Sequence, residues 1–330
     1  MAKKNGAEQR FVGIDIGGTK LHAVVSDGSG RVLGMARKKT RPERGFEGVM
    51  ARAAAVGQLA CVKAHVRPCD ISAIGVGAPS PILADGTAVN APNLGWQNEP
   101  LVTTLAEHFR QPIFAANDCD AGTFGEFTFG AARGARTAVG LFMGTGLGGG
   151  MVIDGALVRG QNQMAAEIGH MKVVVDGRRC GCGQLGCLEA YASKTGMLKR
   201  IACAVHCEGR ETLLHELCEG DFSSIRSSVL AKAYGQGDAV AVESLEEAAR
   251  YLGVGVANMI TLLGPDVVVL GGGVFEALGA ELIGLVRDTA AAQSFPPGSA
   301  KDTRIELAAL GDDAVAVGAV ALALREVEGA

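Results

Sequence analysis

Apolar residues recur along this chain in short runs that end in glycine, and the runs come in two matching sets. Phe11-Val12-Gly13-Ile14-Asp15-Ile16 leads into Gly17-Gly18-Thr19-Lys20, a second run through Val24-Val25, and Asp27-Gly28. Gly140-Leu141-Phe142-Met143 leads into Gly144-Thr145-Gly146, a second run through Met151-Val152-Ile153, and Asp154-Gly155. Short apolar runs bounded by turn residues predict buried strands, so each set reads strand, glycine turn, strand, Asp-Gly turn. Both Asp-Gly pairs are expected to be two-residue hairpin turns with positive φ at the two central positions. The repeat continues with Ala73-Ile74-Gly75-Val76-Gly77-Ala78 and with Val267-Val268-Val269-Leu270-Gly271-Gly272-Gly273, each after a long helical stretch. A further strand follows in each half, Ile113-Phe114-Ala115-Ala116 and Ile305-Glu306-Leu307-Ala308.

Three antiparallel strands followed by alternating helix and strand, made twice, predict an α/β fold with a mixed sheet and covering helices in each half. Glycine turns from both halves are expected to meet in a cleft, where backbone amides approach a phosphate chain with no Cβ in the way. One such turn alone is as readily an ordinary hairpin. Two in matching positions favour a nucleotide site.

Composition narrows the classes. With 330 residues, 48% of them hydrophobic, the chain has material for two domains with real cores. A formal net charge of -4 with mixed signs leaves no broad positive surface for a nucleic-acid backbone. Residues 1–10 hold Lys3, Lys4 and Arg10 but no apolar stretch, so they read as a frayed tail and not a signal peptide. The most apolar segment, Tyr251 to Val274, is broken by Gly264-Pro265-Asp266 and reads as helix, turn and buried strand, so no membrane span is expected. Nine cysteines, three within eight residues, fit a metal site in a reducing cytoplasm better than a secreted disulfide framework.

That cluster is the sharpest local signal. His170, Cys180, Cys182 and Cys187 supply one imidazole and three thiolates, the ligand set of a closed tetrahedral zinc site. Gly181, Gly183 and Gly186 between the thiols let the backbone turn tightly enough for the sulfurs to converge. Four protein ligands leave no position for water, so such a zinc is structural. Cys203, His206, Cys207, His215 and Cys218 are not read as a second metal site. Leu198, Ile201, Ala202 and Val205 have a helical period there, and Cys203 and Cys207 read as small apolar residues on that helix.

Asp15-Ile16-Gly17-Gly18-Thr19-Lys20, Glu167-Ile168-Gly169-His170 and the run Cys180-Gly181-Cys182-Gly183-Gln184-Leu185-Gly186-Cys187-Leu188-Glu189 resemble the ROK family of sugar kinases and repressors, over nearly the whole chain. The cysteine-glycine run is specific to that family, whereas the first motif is shared more loosely by other sugar kinases, heat-shock ATPases and actins. The resemblance implies the duplicated actin-like, ribonuclease-H-like ATPase fold, with two domains around a nucleotide and sugar cleft. Residues 1–121 with 312–330 would form a smaller domain closed by the C-terminal helix, and 122–311 a larger one holding the zinc.

The same resemblance implies an ATP-dependent hexose kinase of the glucokinase type, with glucose the favoured substrate. It makes Asp118 the general base that takes the proton of the attacking sugar hydroxyl, a role the carboxylate at a strand end suits; on local sequence alone a helix N-cap is the lesser, competing reading of Asp118. Sugar hydroxyls would be held by Asn93, Asn117, Asp118, Glu167, His170 and Glu189, with His170 serving zinc through one ring nitrogen and sugar through the other. ATP would lie on Gly17, Gly18, Thr19 and Lys20, on Gly144, Thr145 and Gly146, and on Gly271, Gly272 and Gly273, with Asp15 holding the Mg²⁺ shell. Lys20 reads equally as a surface charge ending a turn, and Glu167 and Glu189, apart from their motifs, as solvated acids.

Two positions depart from the family pattern. Asp120 stands two residues beyond Asp118, where it either raises the proton affinity of that carboxylate or caps the following helix, the favoured reading. Ser80 replaces a usual glycine in a turn of the pocket wall. Alternative readings are a kinase for N-acetylmannosamine, fructose or allose, use of polyphosphate, and a non-catalytic sugar-binding protein. A repressor is disfavoured because residues 1–10 are too few for a DNA-binding domain before the first strand. A homodimer in the cytoplasm is the family expectation.

Overall fold

The computed structural model describes residues 9–222 and 225–329. The expected frayed tail falls on residues 1–8, outside the described residues, while Arg10 already belongs to a strand. Two compact units are present: residues 1–135 with 150–166 and 308–330, and residues 136–149 with 167–307.

The strands and helices appear where the apolar runs place them. β1 (Arg10–Ile16), β2 (Lys20–Asp27), β3 (Val32–Lys39), α1 (Gly45–Lys63) and β4 (Ile71–Ala78) are followed by a small hairpin of β5 (Ala88–Ala91) and β6 (Trp96–Glu99). Then come α2 (Leu101–Ala106), β7 (Ile113–Asn117) and α3 (Asp118–Phe129). The first sheet has the order β3-β2-β1-β4-β7, antiparallel across the first three strands and parallel from β1 through β4 to β7. The second half repeats it with β8 (Ala138–Met143), β9 (Leu147–Ile153), β10 (Ala156–Leu157), β11 (Val267–Gly271) and β12 (Arg304–Leu307), in the order β10-β9-β8-β11-β12. Between β10 and β11 lie α4 (Lys194–His206), α5 (Leu213–Leu217), α6 (Ser227–Gly235) and α7 (Ala239–Leu263); α8 (Gly273–Gln293) precedes β12 and α9 (Ala314–Gly329) follows it. The segment from Tyr251 to Val274 is therefore helix, turn and strand as expected, with Gly264 ending α7 at φ 53°. Among the described residues no helix is long and apolar enough to cross a membrane.

The alternation of side chains along β1 explains how the first sheet is covered on both faces. Val12 and Ile14 point into one core with Val49, Met50 and Val56 of α1, while Phe11 points into the other with Ala316 and Val320 of α9. α9 lies close because the strands present no side chain to it at two points: a Cβ at Gly13 would fall 1.9 Å from the Ala316 carbonyl oxygen, and one at Gly75 1.7 Å from that of Ala319. The chain's last segment is further held by Glu126, fully buried on α3, whose carboxylate accepts the N–H groups of Ala131 at 2.8 Å, Ala309 at 3.1 Å and Leu310 at 2.8 Å.

One of the two Asp-Gly turns differs from expectation. Asp154 and Gly155 have φ of 51° and 76°, the positive pair that a tight hairpin turn needs. Asp27 and Gly28 do not; the positive φ, 84°, comes at Gly30. Here the Asp27 carboxylate takes over the turn, accepting the backbone N–H of Ser29 at 3.0 Å and of Arg31 at 3.2 Å, so the loop is longer and is closed by a side chain.

Candidate functional site

In the first unit the parallel strands β1, β4 and β7 end side by side, which aligns the residues that follow them. Asp15 lies opposite Gly77 of β4, and Gly77 in turn lies opposite Ala116 of β7, just before Asn117 and Asp118. Gly77 carries no side chain because the space is taken: a Cβ there would lie 2.5 Å from a Val315 methyl carbon of α9 and 3.6 Å from the Asp118 Cα, so both helices seat closely against this strand end. Ligands of α/β sheets gather at such carboxyl ends. Desolvation, with the charge of Asp118 next and that of Asp312 adding, pushes the pKa of Asp15 from 3.8 up to about 7, against the opposing pull of Lys20 and Arg37. A carboxylate so placed gains most from a cation.

Asn117 caps α3, its side-chain oxygen accepting the N–H of Cys119 at 2.8 Å and of Asp120 at 3.3 Å. This corrects the capping role expected of Asp120, and the same role considered for Asp118. A cap must precede the first helical residue and reach forward to the second and third amides, and α3 begins at Asp118. Asp118 instead keeps its carboxylate beside its own helix start, accepting from the N–H of Cys119 at 2.8 Å, and Asp120 is buried within the helix.

The glycine turn between β1 and β2 is closed by a bond from the Gly17 N–H to the Lys20 carbonyl at 3.0 Å. Gly18 lies against the turn holding Asn93, since a Cβ there would be 3.4 Å from that of Asn93, and Thr19 is exposed. Lys20 is tied to Asp312 at 3.3 Å, and Arg37 reaches Asp312 at 3.3 Å and Asp313 at 2.9 Å. Reading the sequence did not single out Arg37, Asp312 or Asp313; Lys20 and Asp312 are 292 positions apart, and no local pattern joins them. Ser80 is buried, its hydroxyl donating to the Pro81 carbonyl at 2.9 Å and accepting the Asn90 N–H at 3.0 Å, so it braces the turn.

In the second unit His170, Cys180, Cys182 and Cys187 bring their donor atoms within 4.8 Å of one another. His170 Nδ1 lies 3.7 Å from the Cys180 Sγ, and the sulfurs of Cys182 and Cys187 are 3.8 Å apart. Ligand bonds of about 2.3 Å at tetrahedral angles put sulfurs roughly 3.8 Å apart, so the donor set and its spacing fit zinc. The glycines do the work expected of two of them: Gly183 and Gly186 have φ of 88° and 74°, and a Cβ on Gly186 would be 1.7 Å from the Val174 carbonyl oxygen. Burial pushes the Cys180 thiol up to about 12, and the Lys172 ammonium, another residue the sequence did not flag, lies 2.9 Å from the Cys187 sulfur.

Glu189 links this cluster to the second glycine turn. One of its oxygens is 3.2 Å from the Cys180 sulfur; the other accepts the Leu147 N–H at 3.0 Å and lies where a Cβ on Gly146 would be, 2.4 Å away. Gly144 closes the turn onto Gly146 at 2.9 Å, and Thr145 is exposed. Desolvation raises the pKa of Glu167, with His170 lowering it and Glu189 raising it. Gly271 ends β11, Gly272 takes φ 86° as the cap of α8, where a Cβ would lie 2.6 Å from the Met143 carbonyl oxygen, and Gly273 opens that helix. Cys203 is on α4 and Cys207 caps its end, so the helix expected for this segment is present, with both cysteines exposed on its solvent side.

A mixed α/β protein in two units, each half carrying the same five-strand order and glycine turns at the strand ends, is what fold and site together define. The chain belongs to the ROK family, whose family model matches residues 11–326. It is 35% identical to a glucokinase of Streptomyces coelicolor over 272 residues, 80% of this chain and 82% of that one. The structure of a ROK family glucokinase from Streptomyces griseus in complex with glucose and AMPPNP superposes with a TM-score of 0.82 at 33% identity, covering 96% of this chain and 99% of that one. A xylose repressor of Caldicellulosiruptor bescii is 30% identical over 318 residues, 96% of this chain and 78% of the repressor. The two-unit α/β architecture expected from the sequence is thus the one found, and the chain is a glucokinase-like ROK protein.

Proposed function

We propose that this protein is an ATP-dependent hexose kinase that converts glucose to glucose 6-phosphate. The observation that carries this reading is the pair of aspartates at the ends of the parallel strands β1 and β7, on either side of β4: Asp15 with its raised pKa and Asp118 at the start of α3. Asp118 takes the proton of the sugar hydroxyl as that oxygen attacks the γ-phosphorus of ATP, and ADP leaves with the electron pair of the broken P–O bond. Asp15 holds the Mg²⁺ that accompanies the nucleotide. Asn93, Asn117, Glu167, His170 and Glu189 orient the sugar, and the turns at Gly17, Gly18, Thr19 and Lys20, at Gly144, Thr145 and Gly146, and at Gly271, Gly272 and Gly273 receive the nucleotide. The Streptomyces griseus relative described with glucose and AMPPNP supports both ligands.

His170, Cys180, Cys182 and Cys187 would hold zinc, which supplies a rigid template with no open coordination position. The imidazole meets the cluster through Nδ1, which leaves Nε2 for the substrate. The reading extends to a homodimer in the cytoplasm; nine cysteines without a disulfide support that compartment.

The test is release of ADP with Mg-ATP across glucose, mannose, fructose, N-acetylmannosamine, N-acetylglucosamine and allose. Turnover on glucose supports the proposal in full, and turnover on another sugar keeps the mechanism and changes the substrate. No turnover on any sugar, with ATP and zinc both shown to be bound, would leave a sugar-binding protein that does not catalyse, as the similarity to a xylose repressor allows.

A further inference from the structure

The unit that carries the Cys/His cluster has a surface cavity of about 610 Å³ that takes no part in the site above. Its wall gathers Arg178, Arg179, Lys199 and Arg200 with one acid, Glu208. A cavity of that size suits a small molecule. Two of the four cations are already matched and thereby fixed. Arg178 forks onto both oxygens of Glu247 at 2.9 Å and lies 4.7 Å over the Tyr191 ring, and Arg200 meets Glu208 at 2.8 Å. The other two are not: among the described residues neither Arg179 nor Lys199 has a carboxylate in an ion pair, and the nearest polar contact of Arg179 is the Gly183 carbonyl at 3.5 Å.

Isolated surface cations are ordinary. Two uncompensated ones sharing a concavity with two immobilised guanidinium groups are not, because together they concentrate positive charge that an anion, and a doubly charged one best, complements. The first turn of α4 adds little of its own, since the Gly196 N–H that reaches the cavity is taken by the Ser193 hydroxyl at 3.0 Å. Recognition therefore falls to side chains.

We propose that this cavity binds a small phosphate monoester, with Arg179 and Lys199 taking the phosphate group and the wall at Ala190 and Gly196 taking its carbon skeleton. The proposal does not depend on the kinase reading. It does have a route to that site: the N–H groups of Lys194 and Thr195, at the start of the same helix, donate to the carbonyls of Gly144 and Thr145 at 3.1 Å, and Ala190 follows Glu189 in the chain.

Cys203, exposed and on the cavity wall, is a built-in reporter. The experiment measures its rate of modification by a thiol reagent, resolved from the other cysteines by mass spectrometry, with glucose 6-phosphate or inorganic phosphate as the probe and glucose or sodium chloride of equal ionic strength as controls. Modification is expected to slow about tenfold with glucose 6-phosphate at roughly ten times its Kd. The protection should vanish in Lys199→Glu with Arg179→Ser and persist in Asp118→Asn, which separates this cavity from the proposed active site. Equal protection by inorganic phosphate means the phosphate group alone is read and still supports the site. No protection, protection matched by sodium chloride, or protection that survives charge reversal in a double variant of unchanged circular dichroism overturns the proposal, whatever the outcome of the sugar assay.

Discussion

The two units each gather anionic donors, and they do so in opposite ways. In the first, Asp15 and Asp118 come from strand ends 103 positions apart, with Lys20 and Arg37 pulling against the neighbouring Asp312. In the second, His170 and three cysteines come from one short stretch wound around glycines. One member of each is held toward its protonated form, Asp15 at about 7 and Cys180 at about 12, while the backbone N–H of Gln184 pulls the Cys182 thiol the other way. Either becomes fully charged when a cation replaces the proton. The difference is in number: four donors close a tetrahedral site and suit a permanent ion, whereas two carboxylates leave most of a cation's coordination to water and phosphate and suit one that comes and goes with a nucleotide.

The contrast is most sharply broken at Asp118. Asp118→Asn should lower turnover by about 10² to 10⁴ while glucose binding, followed by calorimetry, changes little; unchanged turnover removes this carboxylate from the chemistry. Next, Cys182→Ser should abolish stoichiometric zinc in elemental analysis and weaken sugar binding through His170. A metal-free variant with full activity would uncouple the two.

Asp15 gives a smaller effect with a definite sign. Its pKa, 3.8 ordinarily and about 7 in the fold, means the folded chain keeps a proton that the unfolded chain gives up. Stability from this group is complete below about pH 4 and is lost as pH rises through 7, by about 4 kcal/mol at most. The metal-free protein should therefore lose Tm between pH 4 and 7 relative to Asp15→Asn, and Mg-nucleotide should restore it; parallel pH profiles for the two proteins would refute the shift. Smallest of all, Lys172→Met removes the ammonium beside Cys187 and should weaken zinc binding by about tenfold, measured by competition with a chromogenic chelator.

How far the sequence could be read follows from the same contrast. The Cys/His cluster was legible because its ligands and the glycines that bend the chain are neighbours in sequence. The duplicated strands were legible because apolar runs and glycines repeat in the two halves. The bracing of Lys20 by Asp312 was not, nor was the Glu126 carboxylate that binds the amides of Ala309 and Leu310, because each contact is made only once distant segments are packed. Turn and cap details escaped for a local reason. Asn117, Asp118 and Asp120 are all competent caps, and Asp27-Gly28 matches a hairpin signal, so a shift of one residue in the helix start or the loop length decides between them.

The close seating of α9 on Gly13 and Gly75 has a consequence for the order in which the molecule can be assembled. The helix that seals one face of the first sheet is made after every residue of the second unit. Until it arrives, Phe11, Val24 and Ala73 lack the cover of Ala316, Val317 and Val320 on that side. The first unit thus joins segments about 300 positions apart, a topology of high contact order, and its folding waits on the synthesis of α9 while the second unit is free to form from one continuous stretch and a hairpin strand.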